Sequence, residues 1–205
     1  MEVLEIKPIK NKKVTAFIFA KENSKSLQST DPDLLKNFLS NNKINFVTVD
    51  FDIDLKDFSR TPFAKALDKL GIKYYQVDIP EYAMGYLYEE IMEKEELLTG
   101  LTEEYVNLED RDSYKGQSLK NWIDLINIEI QEKENHLTLK IRPMWIVKKM
   151  LDLAKNFQED DVNFVHFVQT DICEDICSQV VEYLREYNVK VIQYNKKHTI
   201  KNIIF

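Results

Sequence analysis

Three aspartates alternate along the chain directly after the second predicted strand, at Asp50, Asp52 and Asp54. Side chains two residues apart on an extended strand point to one face, so these carboxylates can project together. Close carboxylates repel one another unless a cation lies among them, and oxygen ligands completed by water suit Mg²⁺. Asp50 and Asp52 are therefore the candidate metal ligands, and Mg²⁺ is the candidate cofactor.

A candidate anion site follows in the same segment. Ser59 and Arg60 lie at the predicted start of the next helix, because Thr61-Pro62 is a helix-start signal. Free N–H groups and the helix dipole favour an anion at such a start, and Arg60 adds a positive charge. Metal-binding carboxylates beside an anion-binding helix start form an arrangement suited to phosphoryl groups.

Two further charged residues are predicted to share this edge of the sheet. Asp78 follows the third predicted strand, and Arg142 precedes a core helix. If the sheet is parallel, its strand ends bring them to the edge that carries Asp50 and Arg60. Arg142 is then the cation best placed to meet the acidic residues or a small anionic ligand. Helix capping and ion pairing explain these residues equally well.

The chain carries no catalytic motif of high specificity. Neither GxGxxG nor GxxxxGK[ST] occurs, so a standard dinucleotide or P-loop site is not expected. None of the three histidines has a Cys, Ser or carboxylate at a spacing diagnostic of nucleophilic catalysis. His166 lies inside a predicted strand and is interpreted as a packed residue.

Short apolar, β-branched and aromatic runs predict five buried strands. They are Val14–Ala20, Ile44–Phe51, Lys73–Ile79, Asn163–Gln169 and Val189–Tyr194. Helical patterns lie between them, and such alternation favours a parallel sheet with right-handed crossovers. We therefore predict an α/β core of the Rossmann-like kind, with a mostly parallel sheet of about five strands flanked by helices. Residues 1–80 and 141–205 form this core.

Residues 81–140 form the second predicted domain, an inserted, long antiparallel helical hairpin that resembles a coiled coil. Apolar residues recur at heptad spacing in two series that mirror each other about a polar turn. In this register Leu101 faces Ile126, and Lys94 falls opposite Lys133. Neighbouring glutamates can neutralise the two lysines, so we interpret that layer as a polar layer that fixes the register.

Charge is unevenly distributed along the chain, whose net charge is −7. Residues 81–140 hold 15 acidic and six basic residues, which gives the hairpin −9 and leaves +2 for the remainder. An acidic hairpin repels phosphate backbones, which argues against nucleic acid as a partner. The stretch after Asn188 has no acid and is interpreted as solvated surface, although its final Ile-Ile-Phe should be buried. Its four lysines are Lys190, Lys196, Lys197 and Lys201.

The sequence also indicates a compartment. No apolar run is long enough to cross a bilayer, and the first residues lack the basic start and apolar core of a signal peptide. Cys173 and Cys177 are four apart on a predicted helix, which suits buried thiols better than a disulfide. We expect a cytoplasmic protein without a membrane partner.

The first functional hypothesis is a non-enzymatic protein-binding or assembly module. The outer faces of the hairpin would mediate self-association into an oligomer, or would dock another protein. The interface residues would be Trp122, Tyr86, Tyr88 and Met92.

The second hypothesis is a Mg²⁺-dependent enzyme or nucleotide sensor that handles phosphoryl groups. Asp50 and Asp52 would bind the metal, and Arg60 with Ser59 would bind the phosphate. If the chain is an enzyme, this hypothesis makes it a metal-dependent hydrolase of a phosphate ester or nucleotide.

Overall fold

The computed structural model describes residues 6, 7, 9, 11–21, 32–50, 60, 62–169 and 174–194. The chain divides into two compact units. One unit comprises Met1–Asp78 together with Arg142–Phe205, and the other comprises Ile79–Ile141.

Among the described residues of the first unit, five parallel strands form a single sheet. They are β1 (Lys13–Lys21), β2 (Ile44–Val49), β3 (Lys73–Gln76), β4 (Asp161–Gln169) and β5 (Lys190–Tyr194). Their order across the sheet is β3-β2-β4-β1-β5, and every pair is parallel. The prediction of a mostly parallel sheet of about five strands is confirmed. The structure adds the strand order, because pairing joins residues that are far apart in the sequence.

Helices alternate with these strands. In the described residues they are α1 (Pro32–Asn41), α2 (Pro62–Leu70), α3 (Glu81–Val106), α4 (Tyr114–His136), α5 (Arg142–Lys155) and α6 (Glu174–Glu186). A π-helical turn at Leu137–Ile141 lies between α4 and α5. None of the described helices combines the length and the apolar composition that a membrane-crossing helix requires.

Both faces of the sheet are covered. Alternate residues of a strand point to opposite faces, and in β1 this separates Ala16 and Ile18 from Phe17 and Phe19. The first pair packs in a core with residues of α5 and α6, whereas the second pair packs with residues of α1 and α2. Coverage on both faces explains why the strands have near-continuous apolar sequences.

The end of α2 follows the sequence signal closely. Gly71 has φ 66°, a left-handed conformation that glycine adopts without steric cost. The N–H of Ile72 then donates to the carbonyl oxygen of Leu67 at 2.9 Å, which closes the helix. The chain can therefore turn directly from α2 into β3.

The second unit is the hairpin of α3 and α4. Its buried residues form one cluster, and Leu101 and Ile126 both belong to it, as the heptad register predicts. At the turn, the Ser113 hydroxyl caps α4 by accepting a hydrogen bond from the Gly116 N–H at 3.2 Å. Gly116 is also packed tightly, because a Cβ there would overlap the backbone carbonyl of Arg111.

The lysine layer of the hairpin is neutralised across the two helices. Lys94 of α3 pairs with Glu129 of α4, and Lys133 of α4 pairs with Glu90 of α3. Hydrogen bonding from Lys133 lowers the pKa of Glu90, and hydrogen bonding to Glu129 raises the pKa of Lys94. Lys94 and Glu90 are four residues apart on α3, and Lys133 and Glu129 are four residues apart on α4, so the two ion pairs fit an antiparallel register. Neighbouring glutamates thus neutralise the two lysines, as the sequence predicts.

Candidate functional site

A topological switch point lies between β2 and β4, which are neighbours in the sheet. The helix that follows β2 in sequence, α2, packs on one face of the sheet. The helix that follows β4, α6, packs on the opposite face. Connections that leave two adjacent strands toward opposite faces open a crevice at the carboxyl ends of those strands, where ligands of open α/β sheets bind.

Asp50 lies at this edge, immediately after β2. Its side chain is only 3% exposed, and its backbone N–H donates to the carbonyl oxygen of Phe167 in β4 at 3.4 Å. Burial of a carboxylate is costly without polar partners, so the surroundings of Asp50 must supply them. The structure therefore places the first of the predicted acidic residues at the switch point itself.

Arg142 and Asp78 meet at the same edge. The Nε and an Nη of Arg142 donate to the two carboxylate oxygens of Asp78 at 2.9 and 2.6 Å, and both side chains are 19% exposed. An Nη of Arg142 also lies 3.4 Å from the backbone oxygen of Asp50. This bidentate pairing is strong and directional. The structure thus brings Asp50, Asp78 and Arg142 together, and Asp78 offsets much of the charge that Arg142 could offer to an anion.

The remaining members of the predicted anion and metal site are less defined. Arg60 is exposed ahead of α2, which begins at Pro62. Asp52 and Ser59 lie outside the described residues. Within the described part of the chain, no group of three His, Cys, Asp or Glu side chains is arranged to hold a metal ion.

A buried polar pair lies in the sheet next to the switch point. His166 of β4 is fully buried, and its Nδ1 is 3.0 Å from the hydroxyl of Thr48, its neighbour in β2. Burial lowers the pKa of His166 to about 3, although the hydrogen bond with Thr48 opposes this shift. The imidazole is therefore neutral at physiological pH. The sequence indicated that His166 is packed, but its partner is 118 residues away and only the strand register reveals it.

A further surface depression lies at the opposite end of the sheet. It has a volume of about 1030 Å³ and is lined by residues at the amino ends of the strands. Four lysines and three acidic residues share it, so it offers no strong net field. Ligand sites of parallel sheets form at the carboxyl ends. We therefore assign no role to this depression.

The outer face of α3 is the second candidate site. Tyr86 is 79% exposed and Met92 is 62% exposed, so both predicted interface residues lie on the surface of the hairpin. On α4, Trp122 is also 62% exposed. Tyr88 differs, because it is half-buried and packs against the apolar cluster between α3 and α4. Its ring therefore contributes to the packing of the hairpin.

The structure adds residues to this face that the sequence argument missed. Tyr82 is 77% exposed and lies one helical turn before Tyr86. A shallow groove runs along the same side of the helix, bordered by both tyrosines and by Gly85, Glu89 and Met92, and it continues to Glu93, Glu95, Glu96 and Thr99. Helical spacing from Tyr86 could have indicated Tyr82. We call Tyr82, Tyr86, Glu89, Met92, Glu93 and Glu96 the α3 outer face.

Comparison of the chain with protein-family models, with curated proteins and with solved structures finds no match.

Proposed function

We propose that the chain is a protein-binding or assembly module whose helical hairpin is the docking element, with a second copy of the chain as the first candidate partner. The observation that supports this proposal is the exposure of Tyr82, Tyr86 and Met92 along one side of α3. The hairpin buries its own apolar seam with other residues. The outer aromatic side chains therefore contribute little packing within the hairpin.

Magnitudes favour a docking role for this face. Full burial of a large apolar side chain is worth about 1.5–3 kcal/mol, so three of them contribute roughly 5–9 kcal/mol. Association itself costs about 4–15 kcal/mol in lost translational and rotational freedom. The apolar contact is thus of the right size to assist binding, and the charged groups around it decide which partner is accepted.

Light scattering on the chain tests this proposal. We expect a dimer or a larger species, and we expect its loss in the variant Tyr82→Ser/Tyr86→Ser/Met92→Ser. The matched control is Asn121→Ser/Gln131→Ser, which alters exposed residues of α4 and should leave the species unchanged.

A second, coarser variant checks the same idea. Replacement of residues 84–137 by a short Gly/Ser loop should also give a monomer. A chain that is monomeric at high concentration, and whose size does not respond to either variant, would refute self-association through the hairpin.

The second candidate function is binding of a small anionic ligand, with Mg²⁺, at the switch point. It is favoured by one observation, the burial of Asp50 at the carboxyl end of β2. Asp50 and Asp52 would bind the metal, and Ser59 with Arg60 would bind a phosphate group. A panel of nucleotides with Mg²⁺ should then raise the melting temperature, and Asp52→Asn should abolish the rise while Asp68→Asn, on α2, should not. The absence of a shift across the panel would remove this candidate.

A further inference from the structure

The α3 outer face carries uncompensated negative charge. Glu89, Glu93 and Glu96 are exposed, and within the described residues none of them forms an ion pair. By contrast, Glu90 pairs with Lys133 toward α4. Carboxylates spaced three and four residues apart on one helix destabilise it by a few tenths of a kcal/mol per pair. A cationic partner would remove this cost.

Two glycines lie within α3 at positions that the hairpin leaves open. Gly85 and Gly100 lie inside α3, and a Cβ at either position would have no atom within 4 Å. A glycine in a helix interior costs about 1 kcal/mol relative to alanine. The packing of the hairpin therefore does not explain the glycine at position 85. The absence of a side chain at Gly85 leaves a shallow depression between Tyr82, Tyr86 and Glu89.

Charge restricts which part of a second copy could bind here. Another α3 outer face would place carboxylates against carboxylates, which is unfavourable. The occupant must instead supply cations and apolar side chains, and it must lack acidic residues. Residues 195–205 contain neither Asp nor Glu.

The composition of residues 195–205 matches these requirements. Three lysines, Lys196, Lys197 and Lys201, can pair with three of the four glutamates that line the groove, and the stretch Ile203-Ile204-Phe205 can cover the tyrosines and Met92. The groove extends from Tyr82 to Thr99, which is about 26 Å at 1.5 Å per residue. Eleven residues reach at most about 36 Å, so one segment is long enough to span the groove.

We propose that residues 195–205 of one copy of the chain bind the α3 outer face of another copy. This inference rests on the proposed docking function and specifies the contact that carries it. The segment continues directly from β5, which is held in the sheet by pairing with β1. Reciprocal exchange between two copies gives two equal contacts and a closed dimer.

A charge exchange in the full chain tests the contact. Glu89→Lys/Glu93→Lys/Glu96→Lys, the face variant, should weaken the dimer at least tenfold because it places lysines against lysines. Lys196→Glu/Lys197→Glu/Lys201→Glu, the segment variant, should do the same. When the two variants are mixed, each contact again joins opposite charges, so native mass spectrometry should show a heterodimer.

Control variants keep this test decisive if one triple substitution perturbs folding. A chain that carries both sets of reversals should regain the homodimer. Asp124→Lys/Glu132→Lys/Glu134→Lys reverses three exposed charges on α4 and should leave the dimer affinity unchanged. Circular dichroism on each variant reports whether the helices are intact.

The outcomes separate this inference from the proposed function. If the tyrosine and methionine substitutions give a monomer but the segment variant still dimerises, the docking function stands and residues 195–205 are not the occupant. Suppose that the wild-type chain is monomeric and that either charge reversal lowers its melting temperature. The segment then binds the hairpin of its own chain, and the inference that it binds another copy is refuted. A mixture that yields no heterodimer also overturns the inference.

Discussion

The buried imidazole of His166 makes the stability of the fold depend on pH. Its side chain is fully buried, its Nδ1 hydrogen-bonds the Thr48 hydroxyl, and its Nε2 has no hydrogen-bond partner among the described residues. Burial lowers its pKa from an ordinary 6.5 to about 3. At acidic pH the His166 imidazole is therefore protonated in the unfolded chain while it is still neutral in the folded chain.

The sign and the size of the effect follow from these two pKa values. Between pH 6.5 and about 3 the unfolded state holds more protons, so the free energy of unfolding falls as the pH falls. The contribution of His166 is complete above pH 6.5 and is lost progressively down to about pH 3. The slope approaches 1.36 kcal/mol per pH unit, which gives a loss of about 2 kcal/mol between pH 7.5 and pH 5.

Urea unfolding at several pH values between 7.5 and 5 measures this loss. We expect His166→Gln to have a lower free energy of unfolding at pH 7.5 but a much flatter pH dependence, because glutamine does not titrate. His136→Gln alters an exposed histidine of α4 and should keep the wild-type slope. If His166→Gln and the wild-type chain have the same slope in this range, the imidazole is not the titrating group and the reasoning is wrong.

Three further substitutions test local packing and ion pairing. Gly116→Ala should destabilise the hairpin by about 1–3 kcal/mol, because its Cβ would overlap a backbone carbonyl of the preceding turn, whereas Gly100→Ala should stabilise it by about 1 kcal/mol. Hydrogen exchange of the α4 amides distinguishes the two, and equal protection in both variants would contradict the overlap. Arg142→Lys should lower the free energy of unfolding by about 1–2 kcal/mol because lysine cannot make both hydrogen bonds to Asp78. Arg185→Lys, an exposed change on α6, is the control in thermal unfolding, and equal melting temperatures for the two would argue against the pairing.

Local periodicity in the sequence predicted the hairpin and its register. Leu101 and Ile126 fall in one cluster because the spacing of apolar residues along each helix fixes which residues can face the other helix. The strands were also predicted, but β3 ends at Gln76, earlier than the predicted Ile79. Apolar side chains continue to Ile79 and remain buried there, so composition alone could not show where strand pairing stops.

The orientation of single side chains was harder to predict. Tyr86 and Tyr88 are two residues apart in the same helix, yet one is exposed and the other packs against the seam. The difference follows from helix rotation, since two residues correspond to about 200° around the axis. The apolar character of a residue does not show which face of the helix it occupies, whereas its angle around the helix axis does.

The sheet-forming segments, the hairpin and its acidic charge can be predicted from the sequence, because they depend on neighbours within a few residues. The strand order cannot, and it is the strand order that brings Asp50, Asp78 and Arg142 together at the edge between β2 and β4. The pairing of Thr48 with His166 was decided in the same way. The physical reason is that parallel strands pair through backbone groups common to all residues, so side-chain identity restricts the partner of a strand only weakly.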